Sequence, residues 1–566
     1  MIDKRLHTDS KYAALTLLML AAGCVIGFSG VNLGMPSPGD ESFHALCVAD
    51  YRSSPLGMLA FYIGHLWQRL TGATVLSLRC LASLEMLIAI GLGSFYLYRR
   101  SRRALLSAGV FAICVTVARA TAFQLYNWDS GSYLFDAMAL VAVASFLRGG
   151  DPRKVFFAAI AAACMALARV PLVVFIPIIF VFVWAGCRRH GFSPRATALT
   201  LTLYTVSVAA TVLLLVTLMC GSPAEYLASF RPENIITGHS PSDLHLWLDR
   251  LRDYGYNQLI WLAPSVGALW IALFLYRLRP GRLWLRAPLV LFLVGFSALI
   301  YRHRDAWCYF EWNSLGTDSP LLLFMLLLFP AWNLTHSGSH RLNTPRLELW
   351  WCGAMAVLMS FGSDTFFERM CGGFILPVII AAGWPAAITS HGMFRLGKIV
   401  LLLSLAVFGP VVAEQWVMKA RINTVTPPAR YAPLRGLKIS SDALNWLEVN
   451  EAAVNSARSL GMRYVICENR FIPQLVFDRD NGPRRSIFHI DAGDPSCWPP
   501  EQNMAVDSAQ MVIFNGGSTP SQLVFDHLRT LGFSEVASRC GVQIFVRSRP
   551  TISRDIIIEQ TTLADH

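Results

Sequence analysis

Charge is what this sequence has least of. Asp, Glu, Lys and Arg make up 15% of its 566 residues, while 54% are hydrophobic. Soluble domains carry roughly 25% charged residues, so an ordinary soluble globular domain is excluded. Several chemical motifs are missing too. The thirteen cysteines contain no CxxC pair or other metal-ligand spacing, which removes the usual zinc and iron–sulfur sites. Asn515-Gly516-Gly517-Ser518 lacks the further glycines and the Lys that a nucleotide loop needs, and reads as a turn. There is no GxSxG nucleophile elbow, and the histidines form no metal set. No internal repeat is visible, although transporters tend to be built from repeated halves.

What the sequence does have is a succession of apolar runs of spanning length. They fall at about 11–32, 74–98, 104–122, 132–147, 154–169, 171–187, 196–219, 256–276, 286–301, 318–333, 347–361, 371–389 and 396–416. Met165 to Pro171 reads either as a tight turn between two spans or as a kink in one helix. The first run follows Lys4 and Arg5 and contains Ala21-Ala22-Gly23-Cys24, which looks like a lipoprotein cleavage box. At about 20 residues, Tyr12 to Val31, it is long enough to span and reads as an uncleaved helix.

The net charge of +12 is carried by short connections rather than by a nucleic-acid face. Arg99, Arg100, Arg102 and Arg103 share one loop; Arg148, Arg153 and Lys154 another; Arg188, Arg189 and Arg195 a third. Arg277, Arg279, Arg282, Arg286, Arg341, Arg346, Arg395 and Lys398 continue the series. All fall in alternate loops, on the side of Lys4 and Arg5. The positive-inside rule makes that side cytoplasmic. Thirteen spans then put the C-terminus outside. From about residue 417 the spans end, and Pro427-Pro428 and Pro433 mark a linker. Beyond it, strands are expected at 434–439, 463–467, 486–490, 511–515 and 542–547, with helices at 442–460 and 521–531. The expected architecture is therefore a polytopic α-helical membrane domain, 1–416, with a small extracytoplasmic α/β domain, 417–566. Cys467, Cys497 and Cys540 lie in that tail, where one disulfide can form if it is exported.

The acids on the outer side ask for a function. Asp40-Glu41 follows the first span in the loop Gly39-Asp40-Glu41-Ser42-Phe43-His44, and an apolar-aromatic stretch, Leu56 to Leu70, reads as an interfacial helix. Tyr126-Asn127-Trp128-Asp129 joins two spans on the same side, with Asp136 further on and facing the protein interior. An acid pair here can deprotonate or orient a sugar hydroxyl, or bind a divalent cation such as Mg or Mn. Bases recur outside as well: Arg119, Arg302 with His303 and Arg304, and Arg369. They run against the charge bias, and a phosphate at the membrane surface would account for them.

An Asp-Glu at the start of the first outer loop, an amphipathic helix after it, a second outer acid and about thirteen spans resemble the GT-C glycosyltransferases. The protein-mannosyltransferase and aminoarabinose-transferase branch is the most similar. The residue match is confined to about 40–136. A Lys-Pro frequent in that branch is replaced here by Ser54-Pro55, with Arg52 nearby. The resemblance implies inverting transfer of a sugar from a polyprenyl-phosphate donor to a glycan, lipid or protein acceptor at the outer face of the cytoplasmic membrane. It makes Asp40 the general base, with Glu41 and Asp129 orienting the acceptor or a cation. Arg52, Arg302 and Arg304 would hold the lipid phosphate, and His44, Tyr126, Asn127, Arg119 and Arg369 would contact substrate. The competing readings are a transporter or flippase for a lipid-linked or small anionic substrate, and a non-catalytic assembly or sensing protein.

Overall fold

The computed structural model describes residues 13–36, 40–120, 126–127, 130–230, 346–359, 374–388, 424–467, 471–478, 495, 500–515 and 520–547. The membrane part contains α1 (Ala13–Phe28), α2 (Asp40–Ala49), α3 (Met58–Thr71), α4 (Val75–Ser101), α5 (Ala104–Ala120) and α6 (Tyr133–Gly149). There follow α7 (Pro152–Ala168), α8 (Phe175–Arg189), α9 (Pro194–Cys220), the short α10 (Pro223–Ala228), α11 (Arg346–Leu358) and α12 (Ile375–Ile388). Four segments, Val75–Ser101, Ser130–Gly149, Val170–Arg189 and Pro194–Cys220, are long and apolar enough to cross a membrane. Ala13–Phe28 and Ala104–Thr116 are apolar but shorter. The expected runs at 256–276, 286–301, 318–333 and 396–416 lie outside the described residues.

Local chemistry sets the helix ends. Thr74 caps α4 by accepting from the Ser77 amide. Asp151 and Ser193 do the same for α7 and α9, each followed by a proline at the first helical position. Proline is suited to that place because its missing amide would have no intrahelical partner. Gly150 and Gly221 end α6 and α9 with positive φ.

Small residues bring the helices together. A side chain at Gly23 would strike Phe111, at Gly27 Leu87 and at Gly186 Phe146. On α7, Ala158, Ala159, Ala161, Ala162, Ala163 and Ala168 are buried, the close approach expected where association depends on packing rather than on expulsion of water. By contrast Val181, Trp184, Leu199, Val206, Leu214 and Leu218 of α8 and α9 are exposed, an apolar surface of the kind a bilayer solvates.

Met165 to Pro171 is a turn. Arg169 takes an extended conformation that ends α7, and Val170–Val174 forms one 3₁₀ stretch before α8. His190, just past α8, hydrogen-bonds the Leu147 carbonyl at 3.0 Å and packs on Gly150. The end of α8 therefore lies beside the start of α7, and the two form an antiparallel hairpin.

Three other long-range hydrogen bonds join segments at the opposite end of the bundle. Arg119 donates to Ser29 O, Tyr51 to Met219 O and Arg169 to Met359 O. Each joins loops that the alternation of charge assigns to one side.

The C-terminal part holds β1 (Thr424–Val425) paired with β2 (Ile439–Ser440), then α13 (Ser441–Ser459), β3 (Tyr464–Cys467), α14 (Phe471–Val476) and α15 (Pro500–Ser508). The chain continues through β4 (Met511–Phe514), α16 (Gln522–Thr530), β5 (Phe533–Arg539) and β6 (Val542–Arg547). One four-stranded sheet has the order β3-β4-β6-β5, parallel between β3 and β4 and antiparallel elsewhere. The expected strand at 434–439 is replaced by a 3₁₀ turn, Ala432–Leu434, and only Ile439 joins β2, because Pro433 and the positive φ of Gly436 break an extended run. The strand β5 escaped expectation, since Ser534, Glu535, Ser538 and Arg539 give its sequence little apolar character. The strand expected at 486–490 and Cys497 lie outside the described residues. Cys467 is buried and Cys540 exposed.

Around α3 the packing has no slack. Tyr126 is buried and donates to the Ala60 carbonyl. A Cβ on Gly64 would lie 2.8 Å from the Tyr126 ring and 2.9 Å from Val48. Gly64→Ala should lower stability by about 1–3 kcal/mol through overpacking. Gly149→Ala, with nothing within 4 Å, should stay close to wild type in the same thermal unfolding measurement in detergent.

Candidate functional site

Asp40 is the first residue of α2, so the acid pair opens a helix rather than a loop. Carboxylates at a helix N-terminus meet the positive end of its dipole. Glu41 is buried, and both its oxygens are held by Arg79 from the second turn of α4: Nε to Oε1 at 2.6 Å and Nη2 to Oε2 at 2.9 Å. The rest of the guanidinium holds the chain leading into α2. Nη1 donates to the carbonyls of Val31 (3.2 Å), Leu33 (2.9 Å) and Gly34 (3.3 Å), and Nη2 to that of Met35 (3.3 Å). Arg119 adds a bond to Ser29 O. Two arginines thus satisfy the carbonyls of a segment with no regular structure of its own.

The C-terminal part secures the same segment from its other edge. Leu33 and Lys438 form a parallel β-bridge, with Lys438 N bonded to Asn32 O at 2.7 Å and Gly34 N to Lys438 O at 2.8 Å. The Phe43 ring of α2 packs on Phe471 of α14 at 5.3 Å. His44, one turn after Asp40, is buried and stacks on Phe61 of α3 at 5.6 Å. A single apolar core joins Phe43, Val48 and Phe61 to Leu434, Leu447 and Leu475.

The remaining candidates divide. Asn127 shapes backbone: its Oδ1 accepts from Ser130 N at 2.7 Å and its carbonyl from Gly131 N at 2.9 Å, forming the turn that starts α6. Tyr126 is fully enclosed, and burial, with the Glu85 carboxylate beside it, pushes its phenol well above the ordinary value. Arg52 is exposed, with its guanidinium 5.8 Å from the Tyr51 ring. Asp136 is fully buried and accepts from Ser132 Oγ at 2.9 Å. Asp129, Arg302, Arg304 and Arg369 lie outside the described residues. Among the described residues no group of three or more His, Cys, Asp or Glu is placed to hold a metal. The stretch expected to lie along the membrane is half embedded: Met58, Leu59, Ala60, Phe61 and Gly64 of α3 are buried, while Leu66 and Leu70 near its end are exposed.

Two residues here escaped the sequence reading. Arg79 and Glu85 both lie within the second apolar run, and an ionisable residue inside a span is itself a sign of a site. Glu85 is buried, and its Oε2 has no hydrogen-bond partner.

No family model matches the chain, and no curated protein does. Among solved structures it is similar to an Archaeoglobus fulgidus oligosaccharyltransferase, crystallised with Zn and sulfate, at 12% identity and a TM-score of 0.47, covering 88% of this chain and 67% of that one. It is also similar to the archaeal oligosaccharyltransferase AglB from Archaeoglobus fulgidus, in complex with an inhibitory peptide and a dolichol-phosphate. That match has 13% identity and a TM-score of 0.49, covering 96% and 75% of the two chains. A third is ArnT from Cupriavidus metallidurans bound to undecaprenyl phosphate, at 12% identity and a TM-score of 0.43, covering 95% and 99%. Likeness at this level is one of outline, and it carries no residue role to this chain.

Arg79→Met leaves a buried carboxylate without its partner, and unfolding measurements should show a loss of about 3–5 kcal/mol. The double change Arg79→Met with Glu41→Leu removes the stranded charge and should recover a large part of it.

Proposed function

We propose that this chain is a membrane glycosyltransferase that moves a sugar from a polyprenyl-phosphate-linked donor to a glycan, lipid or protein acceptor, with inversion at the anomeric carbon. In this reading the end of the bundle bearing α2 and the domain 417–566 faces out of the cytoplasm. The arginine-rich end and the N-terminus face in, and the membrane is the inner, cytoplasmic one.

The observation that carries the reading is the place of the acid pair. Glu41 is committed to Arg79, while Asp40 stands at the start of a helix anchored between the bundle and the C-terminal part. Asp40 takes the proton of the acceptor hydroxyl as its oxygen bonds to the anomeric carbon. The bond from that carbon to the phosphate oxygen breaks with its electron pair, and polyprenyl phosphate leaves. Glu41 positions α2 rather than touching the acceptor. Asp129 orients the acceptor or a divalent cation. Arg52, Arg302 and Arg304 stabilise the charge that develops on the departing phosphate, with Arg119 and Arg369 near it and His44, Tyr126 and Asn127 shaping the sugar-binding wall.

Asp40→Asn keeps the size of the side chain and removes the base. Transfer from a lipid-linked sugar in proteoliposomes should fall by about 10²–10⁴-fold with the melting temperature unchanged. Full activity of the variant would overturn the role of Asp40.

A further inference from the structure

We propose that the end of the bundle opposite α2 binds the headgroup of an anionic, hydroxyl-bearing phospholipid of the phosphatidylglycerol type, through Tyr96, Arg148, Arg189 and Glu348. Four helices bring these residues together: Tyr96 comes from the last third of α4, Arg148 from the end of α6, Arg189 from the end of α8 and Glu348 from the first turn of α11. Trp351 fixes the junction. Its indole N–H donates to the Leu140 carbonyl at 3.1 Å, and its ring packs on Phe182 at 5.2 Å and on Phe175 at 6.3 Å. Arg148 and Arg189 are the charged neighbours of Glu348, and Glu348 and Arg148 are those of Tyr96.

The polar atoms enclosed there are left over. Glu348 is 1% exposed, and its Oε2 has no hydrogen-bond partner; the Tyr96 hydroxyl has none either. Among the described residues Glu348 makes no ion pair within 4.0 Å. Buried polar groups in native proteins nearly always have a partner, and one without it destabilises the fold. Two at one helix junction, an acceptor on Glu348 and a donor on Tyr96, call for a molecule with both an acceptor and a donor.

The surroundings choose its charge. Arg99, Arg102, Arg103, Arg148, Arg188 and Arg189 are exposed at this end, and the only acids there among the described residues are Asp151, which caps α7, and Glu348. Basic pockets between spanning helices on the cytoplasmic side take lipid headgroups. Phosphate-diester oxygens would accept from Arg148, Arg189 and the Tyr96 hydroxyl. The Glu348 oxygen needs a donor, which a headgroup hydroxyl provides from a molecule that the surrounding apolar helices also hold by its acyl chains.

Native mass spectrometry of the full chain released from vesicles of phosphatidylglycerol, phosphatidylethanolamine or phosphatidylcholine tests this without any transfer assay. The wild type should retain one phosphatidylglycerol against delipidation, and millimolar inorganic phosphate should not displace it. Arg148→Ala with Arg189→Ala, both exposed and so tolerated by the fold, should cut retention about tenfold or more. Tyr96→Phe and Glu348→Gln should each weaken it several-fold. Equal retention of the three lipids, displacement by inorganic phosphate, or a double variant that holds phosphatidylglycerol like the wild type would overturn the proposal.

Discussion

The ion pair between Glu41 and Arg79 is the constraint on which the α2 end of the molecule depends. Two charges withdrawn from water are stable only when their geometry is good and their remaining hydrogen-bonding capacity is used. Here the carboxylate is gripped by two donors and the guanidinium reaches four backbone carbonyls besides. One side chain therefore sets where the segment after α1 runs, where α2 begins and how both meet α4. A lysine could not replace it, having three donors on a single nitrogen and no planar fork.

The C-terminal part depends on the same arrangement. Lys438 pairs with a segment whose carbonyls Arg79 and Arg119 hold in place, and Phe471 packs on the helix that Glu41 anchors. The domain is thereby a wall of the candidate site rather than an appendage on a linker. An enzyme that receives its acceptor from outside the bilayer needs such a wall, and the proposed chemistry fits its position beside Asp40.

Much of this was legible in the sequence where the signal is local. Nine apolar runs correspond to described helices, and loop charges alternate in step with the contacts that group loops at each end. The turn at Arg169 stayed ambiguous because Pro171 fits either a kink or a break; the contact of His190 with Leu147, distant in sequence, decides it. The acid pair and a separate role for each acid were legible, with Asp40 as base and Glu41 as supporting group, but the partner of Glu41 was not. Arg79 lies 38 residues on, and only the fold brings it to Glu41. Asn127 and Tyr126, read as substrate contacts, are occupied in shaping a turn and bonding α3. Arg79, Glu85 and Glu348 were passed over because they lie inside apolar runs, where attention to loop charges does not reach.

If a lipid-linked sugar reacts at the N-terminus of α2, the lipid phosphate must bind there. A cryo-electron microscopy structure of the full chain with bound polyprenyl phosphate addresses it directly. The phosphate should lie beside Asp40, between α2, α3 and the C-terminal part, with the polyprenyl chain running down the apolar surface of the bundle. A phosphate seated at the arginine-rich end, or distant from α2, would contradict it.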